Sequence, residues 1–153
     1  HRGEQDKAPL QYTDCGLDDV YLVSGYEIED GHHGKSLSIK NVDELHKAIG
    51  RYLASQKKVL SGKELRFLRK QMNLTQSELG KFVGLTSQQV ARWEKEQYEI
   101  PGAADLLVRV RFLQGLEKDV DLLKLAETLE ESDAPMDDKS YFKNTGEGWK
   151  KAA

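Results

Sequence analysis

Between Val20 and Ile39, apolar and polar residues alternate in short runs, which predicts strands separated by turns. Val20-Tyr21-Leu22-Val23 is followed by the turn Ser24-Gly25 and then by Tyr26-Glu27-Ile28. Glu29-Asp30-Gly31-His32-His33-Gly34 reads as a second turn before the alternating run Ser36-Leu37-Ser38-Ile39. The period then lengthens to that of a helix. Val42, Leu45, Ile49 and Leu53 form one apolar stripe, Asn41 stands at the cap position, and Glu44 sits where a capping box needs it. Together these elements predict a small antiparallel β-sheet with one covering helix over residues 11–54. Polar residues 1–10 lack any such pattern and are expected to be disordered, and residues 55–60 are expected to form a linker.

Three helix starts follow in quick succession. Ser61 with Glu64, Thr75 with Glu78, and Thr86 with Gln89 each pair a hydroxyl with a Glu or Gln three residues on. That spacing lets each side chain satisfy a backbone N–H of the other residue, so each pair predicts a helix N-terminus. Leu65, Leu68 and Met72 are expected inside on the first helix, Leu79, Phe82 and Val83 on the second, and Val90 and Trp93 on the third. After Pro101-Gly102, a fourth helix presents Leu106, Leu107, Val110 and Leu113 until Gly115 interrupts it. Val120, Leu122, Leu123, Ala126 and Leu129 suggest a fifth. The expectation is α+β overall: the small sheet-and-helix domain, then an all-α domain of about five helices at 61–131, then an acidic flexible tail at 132–153.

Charge sharpens this picture. The chain carries a formal net charge of −3, which at first argues against a nucleic-acid partner. Residues 61–96, however, hold seven Lys/Arg against four Glu, whereas 1–54 and 117–153 each hold six basic and ten acidic residues. A basic centre between acidic ends is a local electrostatic footprint for phosphate.

Within that centre, Gly84 can take the left-handed conformation that a sharp helix-to-helix turn requires, and Leu85 fills the turn. At 100° per residue, Val90 and Trp93 share one face of the third helix, while Gln88, Ala91, Arg92 and Lys95 share the other. An amide, a small residue, a guanidinium and an ammonium suit a major groove: Gln pairs with adenine and Arg with guanine, each through two hydrogen bonds. Ser87, Gln88 and Arg92 are therefore assigned to bases, with Gln89 as a further candidate. Gln76, at the start of the second helix, is expected against a phosphate, and Lys81 and Lys95 are further phosphate candidates.

The run from Leu74 to Glu94 resembles the helix-turn-helix of the Cro/CI repressor (XRE) family. The resemblance is carried by Thr75-Gln76-x-x-Leu79, the turn at Gly84, and Val90-x-x-Trp93-Glu94, within residues 61–113. It implies a lambda-repressor-like domain and a homodimer reading an inverted-repeat operator in double-stranded DNA through Thr86, Ser87, Gln88 and Arg92. It also implies a structural pairing of Arg69 with Glu94. Further upstream, Tyr12-Thr-Asp-Cys-Gly-Leu-Asp-Asp-Val, leading through strands and a helix into that domain, is similar to the MqsA-like antitoxins. That likeness implies a partner-binding N-terminal domain, a cognate toxin and an operon that represses itself. Those antitoxins hold zinc through two Cys-x-x-Cys pairs, whereas this chain has Cys15 alone and cannot build that site.

Other chemistry is not indicated. His32, His33, His46 and Cys15 lack tight ligand spacing, so no metal and no cofactor are expected. No phosphate-cradling Gly-rich loop or nucleophile elbow is present, so an enzyme is not expected. A single cysteine and the lack of a long apolar run point to a cytoplasmic protein with no membrane partner. The reading is a DNA-binding transcriptional repressor. The alternatives are a toxin-inhibiting interaction module with DNA binding secondary, and a stand-alone regulator that senses a ligand.

Overall fold

The computed structural model describes residues 8–117, 119–131 and 139–152. Most of the expected disordered N-terminus, and the tail's first part at 132–138, lie outside the described residues. The chain divides into two compact units, one formed by 1–49 with 139–153 and the other by 50–138.

In the first unit, β1 (Leu10–Gln11), β2 (Val20–Leu22), β5 (Ser140–Thr145) and β6 (Gly148–Ala152) make one sheet in the order β1-β2-β5-β6. β2 and β5 run parallel, and the two outer pairings are antiparallel. β3 (Tyr26–Gly31) and β4 (Gly34–Ile39) form a separate hairpin closed at His32-His33. The expectation of N-terminal strands followed only by helices is thus corrected: Ser140–Ala152, read as acidic tail, are strands. Their pattern supports this in retrospect, because Phe142 and Trp149 are buried while Lys143 and Lys150 are exposed. Strand pairing across more than a hundred residues leaves no local sign, so a short lysine-rich stretch read as solvated. Trp149 anchors the end, its Nε1–H donating to the Lys40 carbonyl at 2.6 Å.

The first helix, α1 (Val42–Ser55), buries Leu45, Ile49 and Leu53 as its stripe predicts, although Val42 is exposed. Asn41 does not act as an extended cap, since its φ of +50° places it in the left-handed region. Tyr12 is buried, and its hydroxyl shares a 2.8 Å hydrogen bond with His46 Nε2. Burial pushes the Tyr12 phenol up to about 12, with Cys15 and Asp14 adding to it. Burial also lowers the His46 imidazole, against an opposing pull from Asp43. Because the folded state disfavours protonated His46, its contribution is present above the ordinary value near ~6.5 and is lost as pH falls below it. Thermal melts between roughly pH 7.5 and 5.5 should therefore show falling stability on acidification. His46→Gln should flatten that dependence.

The second unit holds α2 (Gly62–Gln71), α3 (Gln76–Val83), α4 (Ser87–Glu94), α5 (Gly102–Leu116) and α6 (Leu122–Glu131). Five helices are thus present among the described residues from 61 on, as expected, but three apolar stripes are rotated. α5 turns Ala104, Val108, Phe112 and Leu113 inward and leaves Leu107 exposed. α6 buries Leu125 and Leu129 and exposes Leu122 and Leu123. On α3, Phe82 lies outside under the Arg111 guanidinium, 4.7 Å from its ring centroid.

Arg109 explains the α5 error. It is only 1% exposed, and a pattern that keeps arginine out of the core misplaces the stripe. Its Nη1 donates to the carbonyls of Leu53 and Lys57 at 3.2 and 2.5 Å, and its Nη2 to that of Lys58 at 3.0 Å. Its Nε is paired with Asp105. The guanidinium so satisfies carbonyls that the end of α1 leaves open. Residues 55–60, expected to form a linker, carry buried side chains of their own. Lys57 and Leu60 are buried, and Lys57 Nζ meets Glu64 Oε2 at 2.5 Å.

Candidate nucleic-acid interface

Each of the three helices α2, α3 and α4 starts with the capping box its sequence predicts. Ser61, Thr75 and Thr86 accept from the backbone N–H of Glu64, Glu78 and Gln89, whose side chains accept in return from the three cap N–H groups. In α3 the Thr75 backbone N–H, with its hydroxyl, holds the Glu78 carboxyl below the usual carboxylate range. These caps fix where each helix begins, and so the phase of every outward side chain.

The turn between α3 and α4 depends on two glycines for different reasons. Gly84 ends α3 with φ +79°, a conformation that costs an ordinary L residue about 1–2 kcal/mol. Gly80, mid-helix, faces the following turn. A Cβ there would lie 2.8 Å from the Leu85 carbonyl oxygen and 2.9 Å from the Thr86 carbonyl carbon. Both neighbours are backbone, which cannot swing away as a side chain can. Gly80→Ala should therefore destabilise by about 1–3 kcal/mol, through forced separation of α3 from α4. Comparison of urea unfolding with that of the exposed Gly115→Ala variant checks it. The sequence reading passed over Gly80, whose signal was a glycine inside a short helix, six residues before the next helix cap.

Inside the motif, Leu79 and Val90 are fully buried and Trp93 nearly so, which makes the indole core rather than a stacking surface. Tyr98 meets it edge-on, with ring centroids 6.4 Å apart. The end of α4 is locked to α2 as the XRE resemblance implied. Arg69 Nε donates to Glu94 Oε2 at 2.6 Å and Nη2 to Oε1 at 3.0 Å, while Nη1 donates to the Leu74 carbonyl at 2.9 Å. Both side chains of this two-pronged ion pair are at most a tenth exposed.

The candidate contact residues fall into two groups. Thr86, Ser87, Gln88, Arg92 and Lys95 are exposed on or beside α4, and Lys81 is exposed on the last turn of α3. Gln88 and Arg92 lie four residues apart, hence on one face of the helix. Gln89 and Gln76 are half-buried and already engaged. Gln89 Oε1 closes the Thr86 capping box, and Gln76 Nε2 donates to Glu94 Oε1 at 3.2 Å. The exposed strip offers an amide, a hydroxyl, a guanidinium and ammonium groups, without a large apolar side chain. Among the described residues, no group of His, Cys, Asp and Glu is placed to hold a metal ion. Nor is any described helix long and apolar enough to cross a membrane.

Residues 65–107, under a third of the chain, match a family model described as helix-turn-helix. No curated protein and no solved structure matches the chain. The match does not reach the N-terminal residues on which the likeness to MqsA-like antitoxins rests. Residues 65–107 are a helix-turn-helix domain of the Cro/CI (XRE) type, which suggests sequence-specific DNA binding in transcriptional regulation.

Proposed function

We propose that this chain is a transcriptional repressor that binds a palindromic operator as a homodimer, with α4 as its recognition helix. The observation that carries this reading is the exposed polar strip of α4, held rigid from behind by Val90, Trp93 and the Arg69–Glu94 pair. Ser87, Gln88 and Arg92 read base edges in the major groove and Thr86 positions the helix start, while Gln89, whose Oε1 the capping box holds, adds a contact through its amide nitrogen alone. Lys81 and Lys95 meet phosphates, which supplies salt-dependent affinity, and Gln76 adds a neutral phosphate contact through the part of its amide that Glu94 does not hold. Repression follows from excluding polymerase at the operator, a non-enzymatic role in the cytoplasm that needs no cofactor.

Arg92→Ala should weaken binding at the preferred duplex by about 1–3 kcal/mol and relax preference at one base position. Fluorescence anisotropy on that duplex and on single-base variants reads both effects. Equal affinity and equal preference would remove Arg92 from the interface.

A second reading makes the first unit a module that inhibits a cognate toxin, with DNA binding serving to control the pair's own operon. It is favoured by the β3–β4 hairpin, where Ile28 and Leu37 lie directly opposite one another and both remain exposed. An apolar cross-strand pair left in water suits protein docking. Co-purification with the product of a neighbouring gene separates this reading from a stand-alone, ligand-sensing regulator.

A further inference from the structure

We propose that the outward face of the four-stranded sheet binds a single-stranded nucleic acid, independently of the helix-turn-helix. Burial alternates along β2 and the first four residues of β5: Val20, Leu22, Ser140 and Phe142 are buried, whereas Tyr21 and Tyr141 are half-exposed and Lys143 is exposed. The strand register puts Tyr21 directly beside Tyr141, and Lys143 directly opposite Lys150. The two tyrosine rings lie 5.4 Å apart between centroids, tilted by 32°. Lys139 Nζ stands 5.3 Å from the Tyr21 ring centroid.

Two like charges placed directly opposite on an exposed sheet oppose folding, so the Lys143–Lys150 pair calls for an anionic partner. Lys150 does have a carboxylate, Glu147, at 2.6 Å, but both are over half exposed and such a pair contributes little. Residues 139–153 contain four lysines against Glu147 alone, an excess that the acidic residues just upstream conceal. The face therefore sets Lys143 two residues along the strand from Tyr141, a Cα spacing of roughly 7 Å.

That combination fits phosphates and bases together. Bases stack on tyrosine while lysines follow the backbone, as on other sheet platforms for single strands. Duplex DNA fits less well: its bases are already stacked, and a sheet roughly 14 Å across exceeds a major groove of about 12 Å. An acidic peptide would satisfy the lysines but leave the ring faces unused.

The test is anisotropy of a fluorescent twelve-nucleotide oligothymidylate titrated with the full chain. Binding is expected, and Lys143→Gln with Lys150→Gln should weaken it about ten-fold. The salt slope of log affinity should shrink by about 1.4, two phosphates at 0.7 each. Tyr141→Ala should weaken binding similarly and Tyr141→Phe should not, while Arg92→Ala leaves it unchanged. The proposal is overturned if the lysine variant binds like wild type, if Arg92→Ala causes the loss instead, or if oligoglutamate competes as well as unlabelled oligothymidylate. Failure of operator binding with this pattern intact would count only against the recognition-helix reading.

Discussion

Arg69→Ala should destabilise the helix-turn-helix by about 3–5 kcal/mol, the cost of leaving a buried charge without its partner. Three interactions go at once. Glu94 keeps only the amide of Gln76, the Leu74 carbonyl loses its donor, and the end of α4 is no longer tied to α2. Against a total stability of about 5–15 kcal/mol, that loss is a large fraction. The melting temperature should fall by roughly 6–20 °C for a chain of this size. DNA affinity should fall with it, because the recognition helix loses its anchor rather than a base contact. Arg69→Lys should recover only part of the loss, since an ammonium cannot bridge both carboxylate oxygens and the carbonyl in one plane. Differential scanning calorimetry of the two variants checks this; matching melting temperatures for wild type and Arg69→Ala would show the pair to be dispensable.

Arg109→Met should have an effect of similar size, about 3–5 kcal/mol, by a different route. The substitution keeps most of the side-chain volume but removes every donor that the carbonyls of Leu53, Lys57 and Lys58 share. Asp105, partly exposed, can turn to water, so the main cost lies with the stranded backbone acceptors. Hydrogen exchange should therefore quicken first in the last turn of α1 and in residues 56–60, before α3 and α4 respond. Uniform loss of protection across the unit would instead mean that Arg109 supports the whole core.

These two arginines also show what the sequence made legible. The Arg69–Glu94 pair followed from family resemblance, and the helix starts followed from local chemistry, because a hydroxyl and a Glu or Gln three residues on act within one turn. Gly84 was legible for the same reason. Arg109 was not, since burying a guanidinium depends on carbonyls more than fifty residues away. Gln88 and Arg92 could be phased from Val90 and Trp93, and both are exposed as that phase requires. Gln76 and Gln89 were assigned by position alone, which could not foresee the bonds to Glu94 and Thr86 that now engage them. The C-terminal strands escaped notice because Ser140–Thr145 pairs with Val20–Leu22, far away in sequence, and two aromatic residues among lysines gave too short a pattern.

Selection of bound duplexes from a random pool, run in parallel with wild type and with Gln88→Ala and Arg92→Ala, bears most directly on α4 as the reading head. Wild type should enrich a two-fold symmetric sequence, and each variant should lose preference at its own base position in both half-sites. Enrichment of no sequence by wild type, or of one identical sequence by all three proteins, would contradict it.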